Sequence, residues 1–218
     1  MSAGTVHAII DDLGALLLFT MILIVAASQI SRAIFAVAAQ SFLIAIAGGV
    51  LATATGNVDL WVIAGITLTV KAIVLPWLLH WVVRRIDVRR EVEPVIPVLA
   101  TLALAVVVVV MSFHLSASLG SVRQSISGNA LPVGIALTLN GVLVMATRKT
   151  ALSQMVGLFA SENGIFFTAM AVTKGMPLII EIGVILDVIL AALVMTIMVL
   201  RVRSTVDADI ADLDRLRG

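Results

Sequence analysis

Apolar residues come in long runs along this chain rather than in alternation. The runs Ile9–Ala27, Ala33–Thr53, Leu60–Val83, Val95–Leu115, Leu131–Ala146, Met155–Val172 and Pro177–Leu200 are separated by short polar or charged breaks. A hydrocarbon core about 30 Å thick is crossed by about 20 residues of α-helix, so each run has roughly the length of one span. Stretches such as Ala105–Met111 are apolar on every side, as helices surrounded by lipid and by one another are. Strands of a membrane barrel would instead alternate over about ten positions. The pattern predicts an all-α integral membrane protein of about seven transmembrane helices.

Composition agrees with the pattern. Hydrophobic residues are 61% of 218 and charged residues 12%, against about 25% charged in an ordinary soluble domain. Seven spans leave no room for a separate soluble domain. The chain has no cysteine, which excludes a disulfide framework, a thiolate metal site and an iron–sulfur cluster within it. A net charge of +1 gives no case for nucleic-acid binding. Met1–Ile10 lacks a basic region, so the first run reads as a retained span rather than a cleaved signal peptide.

Lys and Arg in the loops set the expected orientation. Alternate loops place Arg32, Arg84, Arg85, Arg89, Arg90, Arg148, Lys149, Arg201, Arg203, Arg215 and Arg217 on one side. Only Arg123 and Lys174 fall on the other. Six or eight spans would put strong positive charge on both sides. By the positive-inside rule the N-terminus is expected outside and the C-terminus in the cytoplasm.

The chain divides by texture. Residues 1–129 hold four spans and a longer outer loop, Ser116–Asn129, rich in Ser and Gly. Residues 130–203 hold three tightly connected spans. Residues 204–218 form a tail in which Ser204 or Thr205 can cap a short helix, with Asp207 near its positive end. Ile210, Leu213 and Leu216 fall on one face of it. The tail is either a solvated helix or a docking helix for a cytoplasmic partner.

Chemistry enters with the ionisable residues inside the spans. Such a side chain at the bilayer centre costs about 2.5–3.5 kcal/mol on insertion scales, and those retained face protein or water. Lys71 is central in the third run, Glu162 in the sixth and Asp187 in the seventh; Asn140 is mid-fifth, and Gln40 with Ser41 is near mid-second. Groups gathered at one depth read as a connected polar path in the membrane plane. Glu181 lies about 9 Å nearer the outer side than Asp187, at about 1.5 Å per residue. Pro76 removes the backbone bond to residue 72 and is expected to bend the third span beside Lys71. Gly164 and Gly183 permit close helix packing next to Glu162 and Glu181.

Plainer readings exist for each. Lys71 is too deep to reach either interface, which leaves a structural ion pair as its alternative. Asn140 and Gln40 can simply bond helix to helix. Asp11 and Asp12 at the start of the first span read as solvated acids, His80 as interfacial, and His7 as solvated; His114, near the outer end of its span, is ambiguous. No Gly-rich phosphate loop, no pair of histidines spaced for metal or haem, and no Ser–His–Asp set is evident in the sequence. No catalytic residue and no cofactor are therefore expected in this chain.

Three segments carry a family resemblance. Thr69–Leu78, TVKAIVLPWL, resembles the third-span motif of the hydrogenase-4 component E family. Ala160–Phe166, ASENGIF, is similar to that family's Glu-Asn-Gly span, and Ile180–Ala191, IEIGVILDVILA, to its E-I-G-x-x-x-D segment. The tail ending LDRLRG is similar too, so the resemblance covers nearly the whole chain. It implies a membrane subunit of a group-4 hydrogenase or formate-hydrogenlyase-type complex in a bacterial or archaeal cytoplasmic membrane. Its last three spans would resemble the small three-helix subunit of respiratory complex I and of Mrp-type cation/proton antiporters. Glu162 and Glu181 would match the two membrane glutamates of that subunit's proton-conducting axis, with Asp187 the alternative to Glu181. Asn163 would belong to the same motif as Glu162. Partners would be antiporter-like and quinone-subunit-like membrane subunits and a cytoplasmic redox module holding the nickel–iron centre and iron–sulfur clusters. A self-contained secondary transporter, or a structural spacer whose polar layer only specifies packing, are the competing readings of the residues.

Overall fold

The structure is a computed structural model and describes residues 2–85, 94–118 and 129–173. The predicted seventh span, most of the Ser116–Asn129 loop and the tail, with Glu181, Gly183 and Asp187, lie outside the described residues. Among the described residues the elements are all helical: α1 (Ala3–Ala26), α2 (Ile30–Thr55), α3 (Val58–Ile66), a π-helical segment (Thr67–Val74), α4 (Leu75–Arg85), α5 (Val98–Ser118), α6 (Ala130–Thr147) and α7 (Ala151–Thr173). α3, the π segment and α4 follow one another without a break and make one rod, which is the third predicted span.

Among the described residues, five helical stretches are long and apolar enough to cross a membrane: Gly4–Ala26, Ile30–Thr55, Val58–Arg84, Val98–Ser118 and Ala130–Thr147. The described part is thus all-helical and has the helices of a membrane protein. α7 has 23 residues and carries the buried polar groups described below.

Local chemistry marks several helix ends. Ser2 caps α1 by accepting from Thr5 N–H. α2 stops at Gly56, whose φ of 69° is left-handed and whose N–H returns to Ala52 O; glycine takes this conformation without the Cβ penalty. Asn57 then caps α3, its side chain accepting from Asp59 N–H at 2.9 Å.

α2 is central, packed on α1, on the rod and on α7. Its packed faces are rich in Ala33, Ala36, Ala47, Gly48 and Ala52, which let helix axes approach closely. α6 and α7 form the tightest pair. A Cβ placed on Gly157 would meet Gly141 O at 2.8 Å, and one on Gly164 would meet Gly134 O at 2.8 Å. α5 is peripheral, against α6 and α1. It buries the narrow stripe Thr101, Ala105, Ser112 and Ser116, and it exposes Leu99, Val106, Val110 and Met111. Such residues, like Phe35 and Trp77 elsewhere, face lipid in a protein of this class.

The helices alternate in direction. Ser41 meets Asn163, and Gly48 faces Met170, so α2 and α7 run parallel. Gly48 also faces Ala64, and Ile34 shares a cleft with Leu79, so the rod runs opposite to α2. Gly14 faces Val133, and Val25 meets Arg148, so α1 and α6 are parallel. One end of the bundle therefore gathers Arg32, Arg84, Arg148 and Lys149. Among the described residues the other end carries Asp11, Asp12 and Asp59 and neither Lys nor Arg.

Candidate functional site

The rod brings Lys71 to the midpoint of its length, and α7 brings Glu162 to the midpoint of its own. Lys71 Nζ stands 2.8 Å from Glu162 Oε1, with the two side chains 7% and 4% exposed. Removing two charges from water costs several kcal/mol each, on the order that only close and well-oriented pairing offsets. The ring of Phe166 lies 5.6 Å from Lys71 Nζ and adds a cation–π contact. Phe166 follows Glu162 by one helical turn, so both side chains fall on one face of α7.

The π segment is what keeps Lys71 on the buried side of the rod. Buried positions of the rod include Leu60, Ile63 and Ala64, then Thr67, Lys71 and Leu75, then Leu78, Leu79 and Val82. Through the π segment they step by four. In an α-helix two steps of four drift about 80° around the axis; the wider π turn absorbs that drift. Leu75 N–H donates to Val70 O, five residues back, the bond that defines this register. The sequence predicted a bend at Pro76 through a lost bond to residue 72. The structure places the irregularity earlier, over Thr67–Val74, with Pro76 just beyond it in α4. The proline has no N–H and its ring crowds the preceding turn, which favours widening the turn that holds Lys71.

A second cluster adjoins the pair. Asn163 Nδ2 donates to Gln40 Oε1 at 3.1 Å and to Ser41 Oγ at 3.0 Å. Ser41 Oγ is also 3.5 Å from Asn163 Oδ1, and Gln40 Nε2 reaches Met21 Sδ at 3.9 Å. These groups are buried, so the amides are held by one another and bind α2 to α7 at mid-length. A small cleft with room for about one water lies between them and the rod, bounded on its polar side by Ser41, Lys71 and Asn163.

Of the residues singled out in the sequence, Lys71, Glu162, Gln40 and Asn163 are thus brought together, and Pro76 lines the cleft. Asn140 is buried elsewhere on α6; its Nδ2 bonds Ala136 O of its own helix at 2.9 Å, and its Oδ1 has no hydrogen-bond partner. His80 is half-buried, and His7 and His114 are exposed. Among the described residues no group of three or more His, Asp or Glu is placed to hold a metal ion.

Sequence reasoning missed three features. Phe166 had a signal, its spacing from Glu162. The π segment had a weaker one, the step of four. Arg148 had none, since it reads as an ordinary loop cation. In the structure it is 4% exposed. Its Nη2 donates to Val25 O at 2.7 Å, and its Nη1 has no hydrogen-bond partner. Burial lowers the pKa of its guanidinium below the ordinary arginine value. Gln154 Nε2 donates to Arg148 O, and Val95 N–H donates to Thr147 O. Arg148 thereby ties α1 to the α6–α7 turn, and the neighbouring Thr147 carbonyl holds the segment that leads into α5.

Comparison with known proteins finds one informative relative. The chain is 35% identical over 151 residues to the uncharacterized protein Rv0085 of Mycobacterium tuberculosis (strain ATCC 25618 / H37Rv), an alignment covering 69% of this chain and 68% of the relative. No family model and no solved structure matches the chain.

Proposed function

The chain belongs to the family of the uncharacterized protein Rv0085, and we propose that it is a non-catalytic membrane-arm subunit of a multisubunit redox complex. The complex is of the hydrogenase-4 or formate-hydrogenlyase type, and the subunit couples electron transfer to proton or sodium translocation. The observation that carries this reading is the Lys71–Glu162 pair, buried at 2.8 Å at the midpoints of the rod and of α7 and joined to the Gln40–Ser41–Asn163 cluster. In a low-dielectric site a pair of opposite charges responds strongly to a small displacement or an added charge nearby. It forms one segment of a lateral polar axis, continued by Glu181, with Asp187 as the alternative, and by acids and lysines of neighbouring antiporter-like subunits.

In this arrangement the protein has seven spans. The basic end of the bundle faces the cytoplasm of a bacterial or archaeal cell, where the redox module docks, and the N-terminus faces outward. The nickel–iron and iron–sulfur chemistry belongs to that module. The three sequence segments around Lys71, Glu162 and Glu181 support the assignment, as does the segregation of Lys and Arg to one end.

The test is to purify the chain in mild detergent with whatever copurifies, and to follow ion uptake driven by the redox reaction in membrane vesicles. Hydrogenase- or formate-linked soluble subunits are expected in the preparation. Glu162→Gln and Lys71→Met are expected to assemble but to abolish or uncouple ion uptake. Full uptake by both variants would overturn the proposal.

A further inference from the structure

The cleft beside the pair has a direction. On each of the three helices that line it, the apolar wall lies on the same side of the polar residue. α2 leads away from the basic end, so Ile34, seven residues before Ser41, sits about 10 Å nearer that end. The rod leads toward it, so Leu79, eight residues past Lys71, sits about 12 Å nearer. α7 leads away again, and Phe159, four residues before Asn163, is about 6 Å nearer. Val37 lines the space between these levels.

Toward the opposite end the same three helices close on one another. Gly48 of α2, seven residues past Ser41, is so close to Ala64 of the rod and Met170 of α7 that an added Cβ would lie 3.3 Å from Ala64 Cβ and 3.6 Å from Met170 Sδ. Ile44 and Ile63 on this side are buried, as Ile34, Val37, Leu79 and Phe159 are on the other, so the close helix approach on one side and the cleft on the other, not burial, set the two ends apart. The helices are therefore sealed by small residues above the pair and separated by a cleft below it. The widened π turn and Pro76 stand at the wall of the cleft, where the rod departs from regular geometry.

We infer that water reaches the Lys71–Glu162 pair from the basic end alone, through this cleft, and that Ile34, Val37, Leu79 and Phe159 act as its hydrophobic gate. A water at the polar wall has Lys71, Ser41 and Asn163 as partners, enough to hold it. The apolar residues below exclude a standing water column and admit transient hydration. The use of this route in ion movement rests on the function proposed above; the access itself does not.

The chain has no native cysteine, so single cysteines report access directly. Val37→Cys and Leu79→Cys probe the gate from two helices, and Ile44→Cys and Ile63→Cys probe the sealed side. Each is made in the full chain, in membrane vesicles of both orientations. The vesicles are exposed to the membrane-impermeant reagent 2-sulfonatoethyl methanethiosulfonate, and remaining thiols are counted by maleimide–polyethylene glycol gel shift after denaturation. Val37→Cys and Leu79→Cys are expected to react about tenfold faster than the other two when the reagent meets the basic face, equivalent to about 1.4 kcal/mol, and not to react from the opposite face. Should one gate variant fail to accumulate, the other carries the test. Equal rates at all four positions, reaction from the opposite face, or no reaction at the gate would overturn the inference. A chain that labels as expected but moves no ions keeps the access route and removes the transport reading; the reverse result does the opposite.

Discussion

Lys71 of the rod and Glu162 of α7 meet at 2.8 Å, with the Phe166 ring 5.6 Å from the same ammonium. Removing one member leaves the other charge buried among apolar residues, which typically costs about 3–5 kcal/mol, whereas replacing both with apolar side chains of similar size is often nearly neutral. Lys71→Met and Glu162→Leu are each expected to lower thermal stability in detergent, and the double variant to recover most of the loss. Additive losses in the double-mutant cycle would show that the two charges are not coupled.

Asn163 holds α7 to α2 through Gln40 and Ser41. Interhelical hydrogen bonds in membranes are worth about 0.6–2 kcal/mol each. Asn163→Ala is expected to lose up to about twice that, and Ser41→Ala less, because Gln40 remains as a partner of Asn163. Comparable midpoints for the two variants in a thermal-unfolding assay would contradict this order.

Gly164 faces the Gly134 carbonyl so closely that a Cβ would lie 2.8 Å from it, while Gly4 has open space around it. Gly164→Ala is expected to push α6 from α7 and to reduce folded yield and stability strongly. Gly4→Ala is expected to leave both unchanged. Size-exclusion profiles of the two variants side by side would decide it; a monodisperse Gly164→Ala protein of wild-type stability would refute the close packing.

Pro76 removes a donor next to the turn that carries Lys71, and proline inside a helix typically costs about 3 kcal/mol. Pro76→Ala is expected to let the π segment relax toward α geometry, which rotates Lys71 away from Glu162; breaking the buried pair costs about 3–5 kcal/mol and outweighs the relief of the proline. The measured signature is lower thermal stability together with reduced ion uptake. Unchanged stability and uptake would mean that the π segment has no part in holding the pair.

Arg148 is buried with one guanidinium nitrogen on Val25 O and the other without a hydrogen-bond partner. Its alkyl stem packs in the interior while its charge is poorly compensated. Arg148→Met is therefore expected to be tolerated better than Arg148→Ala, because it keeps volume and removes the uncompensated charge. Stability in detergent checks the order; a larger loss for methionine would show that the charge is needed.

The run lengths of apolar residues, about 20 in each case, set helices and their boundaries, because the bilayer fixes the length an apolar helix must have. The observed Ala3–Ala26, Ile30–Thr55, Val58–Arg85, Val98–Ser118, Ala130–Thr147 and Ala151–Thr173 fall within a few residues of the predicted runs, with the first starting six residues earlier. The mid-length positions of Lys71, Glu162 and Gln40 follow from the same reasoning. What the chain order does not reveal is which helices touch. In a membrane protein every span is apolar all round, so hydrophobic periodicity does not mark the packed face. The pairing of Lys71 with Glu162, the seating of Asn163 on Gln40 while Asn140 turns to its own backbone, and the burial of Arg148 depend on helix rotation and close approach. Glycine and alanine surfaces and a π turn decide those, and only the assembled bundle makes them visible.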